Sequence, residues 1–152
     1  MGYHVEIIDC KFNINKVWFS DACRHLLNNN FLENKEKMSG VSYDNGIETN
    51  RWYAWVDMKE LENCLQKNDL IGVFKCFNFS VEEHQGNIVG LAYSKKSGDQ
   101  EHLLYMLREY VNDGDFVEFQ GENSEKWRYF FSNSYMYVQE PIIVWSATEI
   151  FK

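Results

Sequence analysis

The segment from Asp115 to Gln139 constrains the fold more than any other part of the chain. It holds three runs, Asp115 to Gln120, Lys126 to Phe131 and Tyr135 to Gln139, rich in aromatic and β-branched residues and separated by short polar stretches. Such runs favour strands. A loop over Gly121 to Glu125 sets Gln120 opposite Lys126, Phe119 opposite Trp127, Glu118 opposite Arg128 and Val117 opposite Tyr129. A two-residue turn at Asn133-Ser134 sets Phe131 opposite Met136 and Tyr129 opposite Val138. Side chains alternate faces along a strand. One face therefore collects Val117, Phe119, Trp127, Tyr129, Phe131, Met136 and Val138, and is assigned to the core. A one-residue shift of the second turn would mix polar and apolar groups on both faces, which a half-buried sheet does not tolerate. The opposite face collects Phe116, Glu118, Gln120, Arg128, Phe130, Tyr135, Tyr137 and Gln139, with a central Glu118–Arg128 pair.

Elsewhere the pattern switches between helix and strand. Tyr3 to Ile8 alternates as a strand. Val17 to Leu27 reads as a helix with Phe19, Cys23, Leu26 and Leu27 on one side, stopped by Asn28-Asn29-Asn30. Residues 33–50 are a polar loop or a small hairpin, with Asn45-Gly46 as the turn signal. Arg51 to Val56 reads as a strand. Asp57 caps a helix, with Glu60 placed for a capping box and Leu61, Cys64 and Leu65 as its apolar stripe. Leu70 to Phe77 fits helix or strand. Phe79 to His84 and Asn87 to Tyr93 are strands joined at Gln85-Gly86. Asp99 caps a further helix whose stripe is Leu103, Leu104, Leu107, Tyr110 and Val111, ended by Asn112-Asp113-Gly114. Ile142 to Trp145 is a last strand-like run.

These elements define an α+β class, with a mostly antiparallel sheet and two or three helices packed on one face. Asp57 to Tyr93 and Asp99 to Phe131 both read helix, strand, turn, strand. The alternative is therefore a pair of α-β-β units around a cleft. The chain has 152 residues, 45% hydrophobic and 25% charged, which suits a single domain over 1–152.

The net charge is −8, which disfavours a phosphate backbone as ligand. From Asp99 to Glu125 eight carboxylates face one cation, Arg108, so that stretch carries −7 and one end of the molecule is expected to be strongly acidic. No apolar run approaches a membrane span, and the first residues lack a signal-peptide pattern, so the expected location is cytoplasmic, without membrane contact. Cys10, Cys23, Cys64 and Cys76 form no C-x-x-C and are expected to be reduced thiols.

No phosphate-binding glycine loop, zinc-binding helix or nucleophile elbow is present. His4, His25, His84 and His102 have no carboxylate or thiol at recurrent spacing. Glu118 and Glu122 form a conceivable acid–base pair, but Glu122 falls in the loop and Arg128 engages Glu118. The expectation is no catalytic residue, no metal and no cofactor. The run Gly121 to Phe131 resembles a G-E-x-x-x-x-W-R-Y-x-F pattern seen in small uncharacterised bacterial proteins. It covers about a tenth of the chain and implies no activity.

The pattern points to a non-enzymatic binding or inhibitory protein, immunity-protein-like, docking a basic protein partner. Its contact residues are Phe116, Glu118, Arg128, Phe130, Tyr135 and Tyr137, and Glu109, Asp113 and Glu122 steer the encounter. The alternative is a small-molecule-binding domain with an aromatic cleft walled by Trp52, Trp55 and Tyr93.

Overall fold

The computed structural model describes residues 2–151. In chain order its elements are β1 (His4–Lys11), α1 (Phe19–Asn28), β2 (Gly40–Asp44), β3 (Ile47–Trp52), α2 (Met58–Gln66), α3 (Leu70–Cys76), β4 (Ser80–His84), β5 (Asn87–Ala92), β6 (Ser94–Lys96), α4 (Gln100–Met106), β7 (Phe116–Gly121), β8 (Lys126–Ser132) and β9 (Tyr135–Gln139). Five strands form one antiparallel sheet in the order β6-β1-β7-β8-β9, and β2–β3 and β4–β5 are separate two-stranded hairpins. The protein is α+β, as its periodicity indicates.

The register of β7, β8 and β9 follows from alternation. Val117 lies opposite Tyr129 and Phe119 opposite Trp127, and Phe131 lies opposite Met136. Asn133 and Ser134 both take positive φ, 51° and 65°, the backbone of the turn that matches strand twist. Asn45-Gly46 and Gln85-Gly86 make the same kind of reversal, each with both φ positive.

Val117, Phe119, Tyr129 and Phe131 are buried, and all four helices pack their apolar stripes into the same core. Ala22, Cys23 and Leu26 come from α1, and Leu61, Cys64 and Leu65 from α2. Leu70, Val73 and Phe74 settle the ambiguous run 70–77 as helix, with Asp69 accepting from the Gly72 amide. Phe12, just after β1, meets Phe74 and Phe131 edge-on at 5.8 and 5.7 Å and so joins helix layer to sheet. Aromatic pairs of this geometry add to the area they bury.

Several expectations are corrected. The strand expected over Arg51 to Val56 stops at Trp52, because Tyr53 turns fully inward, stacks on Phe31 at 4.8 Å and donates its hydroxyl to the Phe31 carbonyl at 2.5 Å. Asp99 stands at the N-cap position of α4 as expected, but its side chain makes no cap hydrogen bond. Its carboxylate instead accepts from the Ser39 amide and hydroxyl and the Ala54 amide, tying the base of the β2–β3 hairpin to the helix. Asp57 does cap α2, through the Lys59 and Glu60 amides, but the Glu60 carboxylate accepts from the Cys64 thiol. Leu27 and Val138 are exposed, although helical spacing points the first inward and strand alternation the second. The two α-β-β stretches are not equivalent halves: β4–β5 stands outside the large sheet and β7–β8 lies within it. Ile142 to Trp145 belongs to no strand and pairs with nothing among the described residues.

Candidate functional site

With all four helices on one side, the other face of the sheet is left open. Strand pairing arranges it in rows. Lys11, Phe116, Phe130 and Tyr137 form one row, and Asp9, Glu118, Arg128 and Gln139 the next. Glu6, Gln120 and Lys126 form a third, and Tyr135 lies beside Ser132. The Arg128 guanidinium donates to Glu118 Oε1 at 2.7 Å from Nη2 and 3.3 Å from Nε, and lies 4.7 Å from the centre of the Phe116 ring. One cation thus meets a carboxylate and an aromatic face together, which orients a side chain otherwise free to sample many rotamers. Phe116 and Phe130 are half-buried, while Tyr135 and Tyr137 stand out at 62% and 48% exposure, their rings 6.1 Å apart. The six residues expected to make contact therefore share one surface.

The acidic residues do not all gather at one end. Asp99 and Asp115 are buried and structural, Asp115 accepting from the Asn13 amide at 2.7 Å and its side-chain amide at 3.1 Å. Burial pushes the Asp115 carboxyl up, against the pull of those hydrogen bonds. Glu101 accepts from the Tyr129 hydroxyl at 2.5 Å. Glu109 lies 3.4 Å from the His25 ring, on the helical side. Asp113 accepts from the Asn133 amide at one end of β7, and Glu122 from the His4 amide at the other, roughly 17 Å away at strand rise. The single acidic end expected from the sequence is thus divided among the core, the helical side and opposite ends of the sheet. Contiguity in sequence does not survive a strand, which carries charge to both its ends.

The catalytic alternatives lose their geometry as well. Glu118 sits mid-strand on the open face and Glu122 in the turn, bonded to backbone. Burial pushes the Cys23 and Cys64 thiols up to about 12, which leaves them protonated and weakly nucleophilic. Cys10 and Cys76 are also raised by burial. Among the described residues no group of three or more His, Cys, Asp or Glu is placed to hold a metal ion.

None of Trp52, Trp55 and Tyr93 lines the main clefts of the described residues. Trp52 lies over Gly40 in its hairpin, and Trp55 is exposed beneath Lys96. Tyr93 is buried and donates its hydroxyl to the Lys96 carbonyl. A different cleft, of about 670 Å³, opens where the helices stop short of β9; Trp127, Tyr129, Val138, Glu101, Glu125 and Glu140 are among its walls. The only sequence hint of it is the exposure forced on an edge strand, which alternation does not encode.

Comparison with protein-family models, curated proteins and solved structures finds no significant match. Among the described residues no helix is long and apolar enough to cross a membrane.

Proposed function

We propose that this is a non-enzymatic binding or inhibitory protein that docks a basic protein partner on the open face of the five-stranded sheet. One observation carries the reading: Phe116, Phe130, Tyr135 and Tyr137 stand on a face that no helix covers, around an Arg128 held by Glu118 and Phe116. Aromatic residues and arginine are enriched at interface cores and hot spots, the aromatics because they bury much area with little conformational freedom to lose. The net charge of −8 supports a basic partner, since a field of that sign raises the encounter rate. Glu109, Asp113 and Glu122 act from the periphery, on approach rather than contact.

The test is affinity capture with wild type and the double variant Y135A/Y137A, at low and high salt. A partner retained by wild type, lost by the variant and weakened by salt supports the reading. Equal capture by both proteins removes the open face from it, and capture that strengthens with salt removes the charge.

The cleft beneath Trp127 and Val138 favours a second reading, a small-molecule site with an aromatic wall. Thermal-shift screening of wild type against W127A distinguishes it: a ligand that stabilises only wild type belongs to the cleft.

A further inference from the structure

We propose that Ile142 to Trp145 is a donor strand that pairs with the free edge of β9 in a second copy of this chain, so that two copies exchange tails reciprocally. The donor is conspicuous. Ile142, Ile143, Val144, Trp145, Ile150 and Phe151 are between 79% and 100% exposed. Three β-branched residues followed by tryptophan make a strand-forming run. A contiguous apolar stretch left in water marks a contact surface.

The acceptor is set by the difference between the two edges of the sheet. The β6 edge is three residues long and two of them are Lys95 and Lys96. Short length and lysine both discourage strand addition. The β9 edge is five residues long and contains neither a charge nor a proline. Its outer backbone groups are a template without a guard.

Pro141 decides between pairing within a copy and pairing between copies. For the tail to fold back on its own β9, the chain must reverse across Glu140 and Pro141. The tight hairpin turns need a positive φ at the first central residue. The residue before a proline is held extended, and the proline φ is fixed near −65°. A longer reversal would consume Ile142 and Ile143, the residues that need covering. The proline therefore sends the strand away from its own edge.

A second copy is the occupant that satisfies every open group at once. Donor and acceptor are two residues apart in the same chain, so a two-fold exchange fills both edges and covers both tails. The lengths agree: four donor residues span about 13 Å and five acceptor residues about 17 Å at strand rise. The four large side chains of each donor strand offer on the order of 500 Å² of contact, and two exchanged strands with the edges they cover reach the size of a standard interface. The seam also avoids the chain's charge, since Tyr135 to Trp145 contains one carboxylate, Glu140, and no cation.

The experiment is sedimentation of the full chain with hydrogen exchange on the same samples. Wild type is expected at twice 18.1 kDa, with the amides of Ile142 to Trp145 protected in the dimer and released on dilution. Ile143→Pro and Val144→Pro each remove one amide donor on opposite sides of the donor strand. One of them should weaken the dimer about tenfold or more whichever register forms. The tail contributes nothing to the core, so far-UV circular dichroism should be unchanged in both. A wild type that stays monomeric up to millimolar concentration overturns the proposal. So does a dimer that ignores both prolines, or one whose tail amides exchange freely.

Discussion

The two faces of the sheet are made from the same strands and the same residue types, yet they have different fates. Phe119 and Phe131 point inward and are 1% exposed. Phe116 and Phe130, three residues and one residue away along the same strands, are half-buried on the other side. Composition does not separate these phenylalanines. What separates them is whether helices α1 to α4 lie above. An aromatic side chain on the inner face is a stability element, and one on the outer face is, on the function proposed above, a contact for a partner.

Phe131→Ala is expected to produce the largest effect. It removes a ring packed edge-on against Phe12 at 5.7 Å and should cost about 3–5 kcal/mol in urea unfolding. Trp127→Ala should cost less, roughly 1–3 kcal/mol, because the indole stacks on Phe119 at 5.8 Å yet borders the open cleft. A Trp127 cost above that of Phe131 would show that the cleft closes in solution.

A pH series separates the faces in another way. His102 is stacked on Phe31 at 5.6 Å with Nε2 buried and unpartnered, and burial, aided by Lys37, holds its pKa below the usual 6.5. The unfolded chain then takes up the proton first. This contribution to stability is complete above about pH 6.5 and is lost as pH falls from there towards the lower folded pKa. His102→Phe keeps the stack and should flatten the stability profile between about pH 7 and pH 5; an unchanged slope would assign it to other groups.

On the outer face Glu118→Ala should cost under about 1 kcal/mol, as a partly exposed ion pair does. Tyr135→Ala and Tyr137→Ala should change stability by no more than about 0.5 kcal/mol while abolishing partner capture. If either tyrosine proves more costly to unfold than Glu118, the outer face is covered in solution and the contrast fails.

The sheet was legible where a local rule determined it. Alternation, the Gly121 to Glu125 loop and the Asn133-Ser134 turn are all short-range, and together they set every pair between β7, β8 and β9. The failures were all tertiary. Asp99 has the position of a cap, but Ser39 and Ala54, 60 and 45 residues away, claim its carboxylate. Val138 has the inward phase, but no helix reaches far enough along β9 to cover it. The contact residues of the candidate site were legible because one strand pattern placed them. The acidic residues were not, because counting charges along a chain ignores that β7 delivers Asp113 and Glu122 to opposite ends.

The position of β1 has a consequence for how the molecule is made. This strand lies between β6 and β7, and the bond from His4 to Glu122 spans 118 residues. A ribosome therefore releases one of the central strands of the sheet long before its neighbour exists. Until β7 emerges, one flank of β1 is bare. Local hairpins and helices have time to form first, and closure of the sheet waits for β7. Non-local closure of this kind slows folding relative to helical proteins of equal stability. A growing chain needs β1 kept from other partners until β7 has been made.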